Sequence, residues 1–475
     1  MTARARMADA MDVDSAAASA PRVQINLSTR DPTLSVPLQS LRVPTNLKRY
    51  GLSTLVNHLL ETPKPIPFDF LVDGQYLRTS IDEYLTQAGL SSEKPLDVEY
   101  VRSQLPPTYI GSFEQDDWIS SIHISSSSAS PSILTGSFNG SAQITSLSGD
   151  ILARTVPMHT QSVKAVTWVS HPSSTENREA TFLTASLDRT INLWSYTPSS
   201  DPSSTTIPIA PRTSYISHKS TITSLSHSSS TSQFLSSSSD HTIALWSTNS
   251  SLLPTVPAPT STSFTRKRRR TSKPPPTEKR GPLAVLSAHS APVSQVIHAQ
   301  DPTAAYSVSW DKSIITHDLV TAQVVDTRVT QHALLSIATL PSLNLIAAGS
   351  AARHITLHDP RVSSSTVQNA VFRGHTNAVV GLVKSPESDY VFASAGHDGC
   401  VRIWDVRSVS SASESVERSD KTGGSLFVIK RESGSGKVFG VDWSKDVGLV
   451  SVGEDKKIQI NRGEGMTEVN VLEQS

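Results

Sequence analysis

Residues 181–194 read TFLTASLDRTINLW, and the same phrase returns three times further along the chain. In this phrase Asp188 follows a run of small and hydroxyl residues, with Ile191 three residues later and Trp194 six residues later. The clearest further copies are FLSSSSDHTIALW at 234–246, YSVSWDKSIITH at 306–317 and VFASAGHDGCVRIWD at 391–405. Apolar and polar residues alternate beside the aspartate, which predicts two β-strands joined by a tight turn.

Three weaker copies bring the total to seven. They are LTGSFNGSAQIT at 134–145, LIAAGSAARHITLHD at 345–359 and LVSVGEDKKIQIN at 449–461, with Asn139, Ala352 and Asp455 in the aspartate position. The pattern resembles the WD40 repeat, in which each copy forms a four-stranded blade. Seven copies therefore predict a mainly β fold, a closed seven-bladed propeller whose sheets have short, protected edges.

A histidine precedes the aspartate in four copies. We predict that the His, Asp and Trp of each blade form a buried polar network, which must be fully hydrogen-bonded to be tolerated. The predicted network residues are His159, Asp188, Trp194, His218, Asp240, Trp246, His289, Asp311, His375, Asp398, Trp404 and Asp455. A catalytic or metal-binding set is the alternative. It is disfavoured because residues that recur once per blade are spread around a ring.

The composition limits the function classes. The 475 residues carry 42 Lys and Arg against 42 Asp and Glu, so the chain as a whole is not a basic nucleic-acid coat. Cys400 is the single cysteine, which excludes intrachain disulfides and paired-cysteine zinc sites. No run approaches the ~18 apolar residues of a membrane span, so no membrane association is expected. No catalytic motif is complete, and we expect neither enzymatic activity nor a cofactor of its own.

A basic run interrupts the repeats. Residues 266–270, RKRRR, lie in a Pro-rich stretch that we interpret as a disordered insertion at about 248–282, between blades three and four. The run Arg266, Lys267, Arg268, Arg269 and Arg270 is typical of a nuclear localisation signal or of a contact to RNA phosphates. A solvated loop without a partner is the third alternative.

The first hundred residues follow a different pattern. A strand at RVQINLSTR, a helix at LKRYGLSTLVNHLLE, a hairpin at FDFLVDGQYL, a short helix at SIDEYLTQAGL and a final strand at PLDVEYV predict a ubiquitin-like β-grasp domain. The predicted domains are a flexible tail at 1–21, a ubiquitin-like domain at 22–102, a linker at 103–118 and the propeller at 119–475.

This domain order resembles one eukaryotic family, the ribosome-biogenesis WD-repeat proteins of the pescadillo–Bop complex, which mature the large ribosomal subunit. The phrases that carry the resemblance are LKRYGLSTLVNHLL, PFDFLVDG, GLSSEKPLDVEY, LPPTYI, ARHITLHDPR and DKKIQIN. The resemblance implies a non-enzymatic factor of the nucleolus and nucleoplasm. It implies a heterotrimer with a Bop-type WD-repeat protein and a pescadillo-type protein, bound to the large-subunit pre-ribosome.

The resemblance also implies a motor-binding residue. In that family the ubiquitin-like domain offers an acidic side chain to the Mg²⁺ of the metal-ion-dependent adhesion site (MIDAS) of midasin, an AAA+ ATPase that removes the complex from pre-ribosomes. The family motif matches GLSSEKPL, which assigns this role to Glu93. Other acidic candidates are Asp82, Glu83 and Asp73, although Glu83 also fits a helix capping box with Ser80.

The propeller is expected to bind the Bop-type subunit. Arg353, His354 and Arg361 surround the degenerate fifth copy and are interface candidates if they are exposed. Two other functions remain open. A Notchless-type midasin-binding factor would have an eight-bladed propeller, and a WD40 substrate receptor of a ubiquitin ligase would purify with a ligase scaffold.

Overall fold

A computed structural model describes twelve stretches of the chain. They are residues 21–36, 40–61, 65–73, 75–103, 106–125, 131–171, 179–197, 207–256, 278–362, 370–410, 422–431 and 436–463. The chain divides into two compact units at about residue 105. The predicted tail, apart from its last residue, and the basic run 266–270 lie outside the described residues.

The N-terminal unit is a five-stranded sheet with two helices, which confirms the ubiquitin-like prediction. Its elements are β1 (Arg22–Ser28), β2 (Ser40–Pro44), α1 (Arg49–Leu60), β3 (Phe68–Val72), β4 (Gln75–Tyr76), α2 (Ile81–Ala88) and β5 (Leu96–Arg102). The strand order is β2-β1-β5-β3-β4, with β1 and β5 parallel and the other pairs antiparallel. The sequence reading did not identify β2.

The helix α1 packs its apolar face on this sheet. Leu52 and Val56 are fully buried and share one core cluster with Phe68 and Tyr100. The Ser80 side chain accepts a hydrogen bond from the Glu83 backbone N–H, so α2 begins with the capping interaction predicted for these two residues.

The second unit consists of seven antiparallel four-stranded blades. Blade 1 contains β7 (Ile119–Ile124), β8 (Ile133–Ser137), β9 (Ala142–Thr145) and β10 (Ile151–Thr155). Blade 2 contains β11 (Val163–Ser170), β12 (Ala180–Ser186), β13 (Thr190–Tyr196) and β14 (Ile207–Ile216). Blade 3 contains β15 (Ile222–Ser228), β16 (Gln233–Ser238), β17 (Ile243–Ser247) and β19 (Ala284–Leu286). Blades 4 and 5 contain β20 (Val293–His298), β21 (Ala304–Ser309), β22 (Ser313–Asp318), β23 (Gln323–Val329); and β24 (Leu334–Leu340), β25 (Leu345–Ser350), β26 (His354–His358), β27 (Ala370–Arg373).

The last two blades complete the predicted set. Blade 6 contains β28 (Val379–Lys384), β29 (Val391–Gly396), β30 (Cys400–Asp405) and β33 (Phe427–Lys430), and blade 7 contains β34 (Val438–Ser444), β35 (Gly448–Gly453), β36 (Lys457–Arg462) and β6 (Thr108–Glu114). Three further strands are β18 (Glu278–Arg280), β31 (Val409–Ser410) and β32 (Thr422–Gly423). Each innermost strand contacts those of its two neighbours, and β34 contacts β7, so the ring is closed.

Part of the predicted linker belongs to this ring. Residues 108–114 form β6, which pairs antiparallel with β36 and supplies the outermost strand of the last blade. The linker prediction of 103–118 is corrected here. A strand taken from before the first blade closes the ring because its hydrogen bonds satisfy the otherwise open edge of β36.

The predicted insertion at about 248–282 has a different place in the ring than expected. It separates β17 from β19 and thus interrupts blade 3 between its third and fourth strands; it does not join blades three and four. Its described ends are ordered, since β18 pairs parallel with β14 and Thr255 bridges to Arg280. Sequence alone could not show which strands the insertion separates, because the short strand β19 has no distinctive pattern.

Candidate functional site

The predicted His–Asp pairs form one hydrogen-bond chain in each of four blades. In blade 6, Trp404 Nε1–H donates to Ser394 Oγ (2.7 Å), the Ser394 hydroxyl meets His375 Nε2 (2.6 Å), and His375 Nδ1–H donates to Asp398 (2.9 Å). The Thr376 backbone N–H also donates to Asp398 at 3.0 Å. All the polar atoms of this chain are therefore used within one blade.

The same chain recurs in three other blades. The corresponding sets are His159, Asp188, Thr184 and Trp194 in blade 2; His218, Asp240, Ser236 and Trp246 in blade 3; and His289, Asp311, Ser307 and His317 in blade 4. The hydroxyl residue four positions before each aspartate is the shared member that the sequence reading missed.

The aspartates are held as carboxylates. Burial alone would raise the pKa of Asp398, but the hydrogen bonds from His375 and the Thr376 backbone outweigh it and lower this pKa to about 2. The pKa values of Asp188, Asp240 and Asp311 are lowered by equivalent contacts.

The last and first blades use other residues in the histidine position. In blade 7 the buried Arg431 donates to both carboxylate oxygens of Asp455 and to the Ser451 hydroxyl. In blade 1, Gln115 donates to Thr135 Oγ1 at 2.8 Å. The sequence reading missed Arg431 and Gln115 because only histidines were sought upstream of the aspartate position.

These networks are separated from one another, each within its own blade. Among the described residues there is no group of three or more His, Cys, Asp or Glu side chains that could hold a metal ion. The arrangement suits cross-bracing of each blade, since every donor already has an acceptor within the blade.

Glu93 lies in the turn between α2 and β5 and is exposed. Its backbone N–H donates to Ser91 Oγ at 3.3 Å, which fixes the turn without using the carboxylate. An exposed carboxylate on a short turn between two packed elements can reach a metal ion held by another protein.

The other acidic candidates are also at the surface. Asp82 and Glu83 lie exposed in the first turn of α2, where negative charge stabilises the helix N-terminus. Asp73 lies in the β3–β4 turn with a positive φ of 50° and bonds to the Tyr84 hydroxyl, whose pKa is raised by burial and by Asp73.

The structure separates the three interface candidates of blade 5. Arg353 is exposed in the turn before β26, whereas Arg361 follows the other end of that strand and pairs with Asp359 at 2.9 Å. His354 is 9% exposed, and its Nδ1 bonds to the Ala352 carbonyl. His354 is therefore a core residue, and the three residues do not form one surface.

The outermost strand of blade 4 exposes a row of valines. Val324, Val325 and Val329 of β23 are 46%, 67% and 63% exposed, and Val320 in the preceding turn is 76% exposed. No described strand pairs with the outer edge of β23. An open apolar edge of this kind is a typical site for a protein partner. We call these four residues the β23 edge patch.

No described helix has the length and apolar character needed to cross a membrane.

Comparison with known protein families finds a match in each of the two units. The profile of the NLE (NUC135) domain matches residues 23–85, and the profile of the WD domain, G-beta repeat, matches residues 151–195, 210–247 and 366–405.

Full-length relatives agree with these matches. Ribosome biogenesis protein ytm1 of Emericella nidulans is 45% identical over 95% of this chain and 98% of the relative. The proteins of the same name from Aspergillus oryzae and Ajellomyces capsulatus are 44% and 43% identical, over 97% and 96% of this chain and 99% and 97% of the relatives. The chain therefore belongs to the Ytm1 family of ribosome biogenesis proteins.

Proposed function

We propose that this ribosome biogenesis protein is a non-enzymatic factor for maturation of the large subunit and its rRNAs, acting in the nucleolus and nucleoplasm. The N-terminal unit binds an ATPase and the propeller binds the partner subunits. The observation that carries the proposal is the pairing of a small domain bearing an exposed turn carboxylate, Glu93, with a closed propeller whose His–Asp pairs are bonded within their own blades.

The ubiquitin-like domain binds the MIDAS domain of midasin through Glu93. Mg²⁺ is a hard cation that takes carboxylate oxygens, so a glutamate of this chain would complete the coordination of a metal held by the ATPase. The turn geometry supports this role, because the Glu93 side chain is exposed and the backbone beneath it is fixed by Ser91. Pulling by the ATPase would then remove the complex from the pre-ribosome.

A pull-down with the midasin MIDAS domain tests the assignment. Glu93→Gln keeps the size of the side chain and removes its charge, so binding should fall by at least tenfold with unchanged thermal unfolding. Asp82→Asn and Glu83→Gln are the matched controls, since both side chains are exposed acids of the same domain. Wild-type binding by Glu93→Gln, together with loss in either control, would move the site to α2.

The propeller binds the Bop-type WD-repeat protein and, through it, the pescadillo-type protein. The β23 edge patch supports this proposal, because a row of exposed valines on an unpaired strand offers both backbone hydrogen bonds and apolar contacts. Val325→Lys with Val329→Lys should weaken co-purification of the Bop-type subunit. Val428→Lys, at a 43% exposed valine on the outer strand of blade 6, is the control.

The run Arg266–Arg270 serves nuclear import, contact with RNA, or both. Replacement of the five residues by Ala should abolish nuclear accumulation of a fluorescent fusion. Undiminished accumulation would exclude the import role.

The seven-bladed ring favours this function over a Notchless-type factor, which would have eight blades. Affinity purification followed by identification of the bound proteins and RNAs separates the remaining classes. Large-subunit precursors in the eluate are expected, whereas a ligase scaffold without them would favour the substrate-receptor function.

A further inference from the structure

The residue after the aspartate position has a left-handed backbone conformation in all seven blades. In blades 1 and 6 this residue is glycine, with φ of 86° at Gly140 and 75° at Gly399. In the other five blades it is basic: Arg189 (φ 71°), His241 (φ 70°), Lys312 (φ 69°), Arg353 (φ 70°) and Lys456 (φ 62°). The turn between the second and third strands thus carries a basic side chain in five of seven blades.

Backbone geometry does not explain these side chains. A residue with a Cβ pays roughly 1–2 kcal/mol in the left-handed region, whereas glycine adopts it freely. The turns at Gly140 and Gly399 show that glycine fits the same position. Four of the five basic residues, Arg189, Lys312, Arg353 and Lys456, therefore add positive charge at a position where the fold alone favours glycine.

All five basic residues lie at the same end of the ring. Every blade runs from its inner strand outward in the same order, so the turns between second and third strands share one face. We call it the Asp-turn face. Lys219, which precedes β15, is exposed on this face as well.

Three cations of this face have no acidic partner among the described residues. No described carboxylate forms an ion pair with Arg189, Lys312 or Arg353, and all three side chains are exposed. The network aspartates that precede Arg189 and Lys312 already accept several hydrogen bonds, as Asp311 does from His289, Ser313 and the Ser290 backbone.

Two cations at the opposite end of the ring are paired. Lys384 contacts Asp389 at 2.6 Å, and Arg361 contacts Asp359 at 2.9 Å. These two cations are therefore less available to a ligand than Arg189, Lys312 and Arg353.

Aromatic rings lie among these cations. Trp310 directly follows β21 in the turn that carries Lys312, is 57% exposed and lines the central channel, which has a volume of about 830 Å³. Trp118 is 39% exposed and lies edge-on to Phe138, with ring centroids 5.6 Å apart. A large exposed tryptophan on a rigid turn is costly to leave in water and is well suited to stacking.

We propose that the Asp-turn face of the propeller binds single-stranded RNA, with Trp310 stacking on a base and Arg189, Lys312 and Arg353 contacting phosphates. Unpaired cations release counterions from a phosphate backbone, and exposed aromatic rings stack on unpaired bases. An acidic protein segment would use the same cations but has no bases to stack on Trp310. The combination therefore favours RNA. The proposal is independent of Glu93 and of the β23 edge patch.

Fluorescence anisotropy with an unstructured 20-nucleotide RNA tests the proposal on the full chain. All proteins carry Ala at 266–270, so that the basic insertion cannot contribute. The triple variant Arg189→Gly, Lys312→Gly, Arg353→Gly suits the left-handed turns and should fold normally. Three lost phosphate contacts should lower the slope of log affinity against log salt by about 2 and weaken binding at least tenfold at 0.1 M salt.

Two further variants separate charge from stacking. The triple variant Arg189→Lys, Lys312→Arg, Arg353→Lys keeps the charges. Its slope of log affinity against log salt should therefore equal that of the parent. Trp310→Ala should weaken binding about fivefold or more with the slope unchanged, and Trp310→Phe should restore part of it. The proposal is overturned if the parent does not bind the RNA or if the triple glycine variant binds as the parent does. It is also overturned if a polyglutamate peptide binds this face in a Lys312-dependent way while the RNA does not.

Discussion

Arg431 and Asp455 form a bidentate ion pair inside the last blade, with Nε and Nη2 of the guanidinium 2.9 and 2.5 Å from the two carboxylate oxygens. Their side chains are 2% and 7% exposed. This pair occupies the place that the His–Asp pair has in four other blades. It lies in the blade that closes the ring, where a loss of order would open the propeller.

Removing Arg431 should therefore be strongly destabilising. Arg431→Ala removes the guanidinium that neutralises the buried Asp455 carboxylate, and we expect the free energy of unfolding to fall by about 3–5 kcal/mol in urea. Arg361→Ala is the control, because that exposed pair with Asp359 should be worth less than about 1 kcal/mol. Equal effects of the two substitutions would contradict the structural role of Arg431.

The hydroxyl residue of each His–Asp network should matter as much as the histidine. Ser394→Ala leaves both Trp404 Nε1–H and His375 Nε2 without a partner in a buried site, so unfolding free energy should drop by about 2 kcal/mol or more. Ser148→Ala, at an exposed turn serine, should change it by less than about 0.5 kcal/mol. A negligible effect at Ser394 would show that the network does not brace the blade.

Blade 4 should make stability sensitive to acid. His317 replaces the tryptophan of the other networks, is fully buried, and leaves its Nδ1 without a hydrogen-bond partner. Burial lowers the pKa of His317 to about 4. Because protonation favours the unfolded chain, this residue's contribution is intact above about pH 6.5 and is lost as the pH falls toward 4, by up to about 1.4 kcal/mol per pH unit.

His317→Trp is the matching variant. Tryptophan donates the same hydrogen bond to Ser307 and has no second ring nitrogen. In urea unfolding between pH 7 and pH 4.5, the free energy of unfolding should fall less steeply with decreasing pH for the variant. The variant should take up as much as one proton fewer on unfolding. An unchanged pH dependence would mean that His317 does not control the acid response.

The strand β6 should decide which N-terminal truncations the propeller tolerates. Deletion of residues 1–105 retains β6 and should leave a propeller that unfolds cooperatively. Deletion of residues 1–115 removes β6 and exposes the edge of β36, so the product should unfold at a markedly lower temperature or aggregate. If both truncated proteins had the same melting temperature by circular dichroism, β6 would not be needed for closure.

The sequence determined the repeating part of this protein. The phrase around Asp188 and its copies set the number of blades, the strand pairs and the His–Asp partners, because each depends on neighbours within one blade. The ubiquitin-like domain was equally readable, since α1 and α2 follow local apolar periodicity and capping.

Tertiary structure decided what depends on residues distant in sequence. Residues 108–114 form the outermost strand of the last blade only because they pair with β36, which lies more than three hundred positions later in the chain. Arg431 became a network residue because its side chain reaches Asp455 across the blade. The basic side chains after the aspartates share one face because seven turns close into a ring, and no single repeat contains that information.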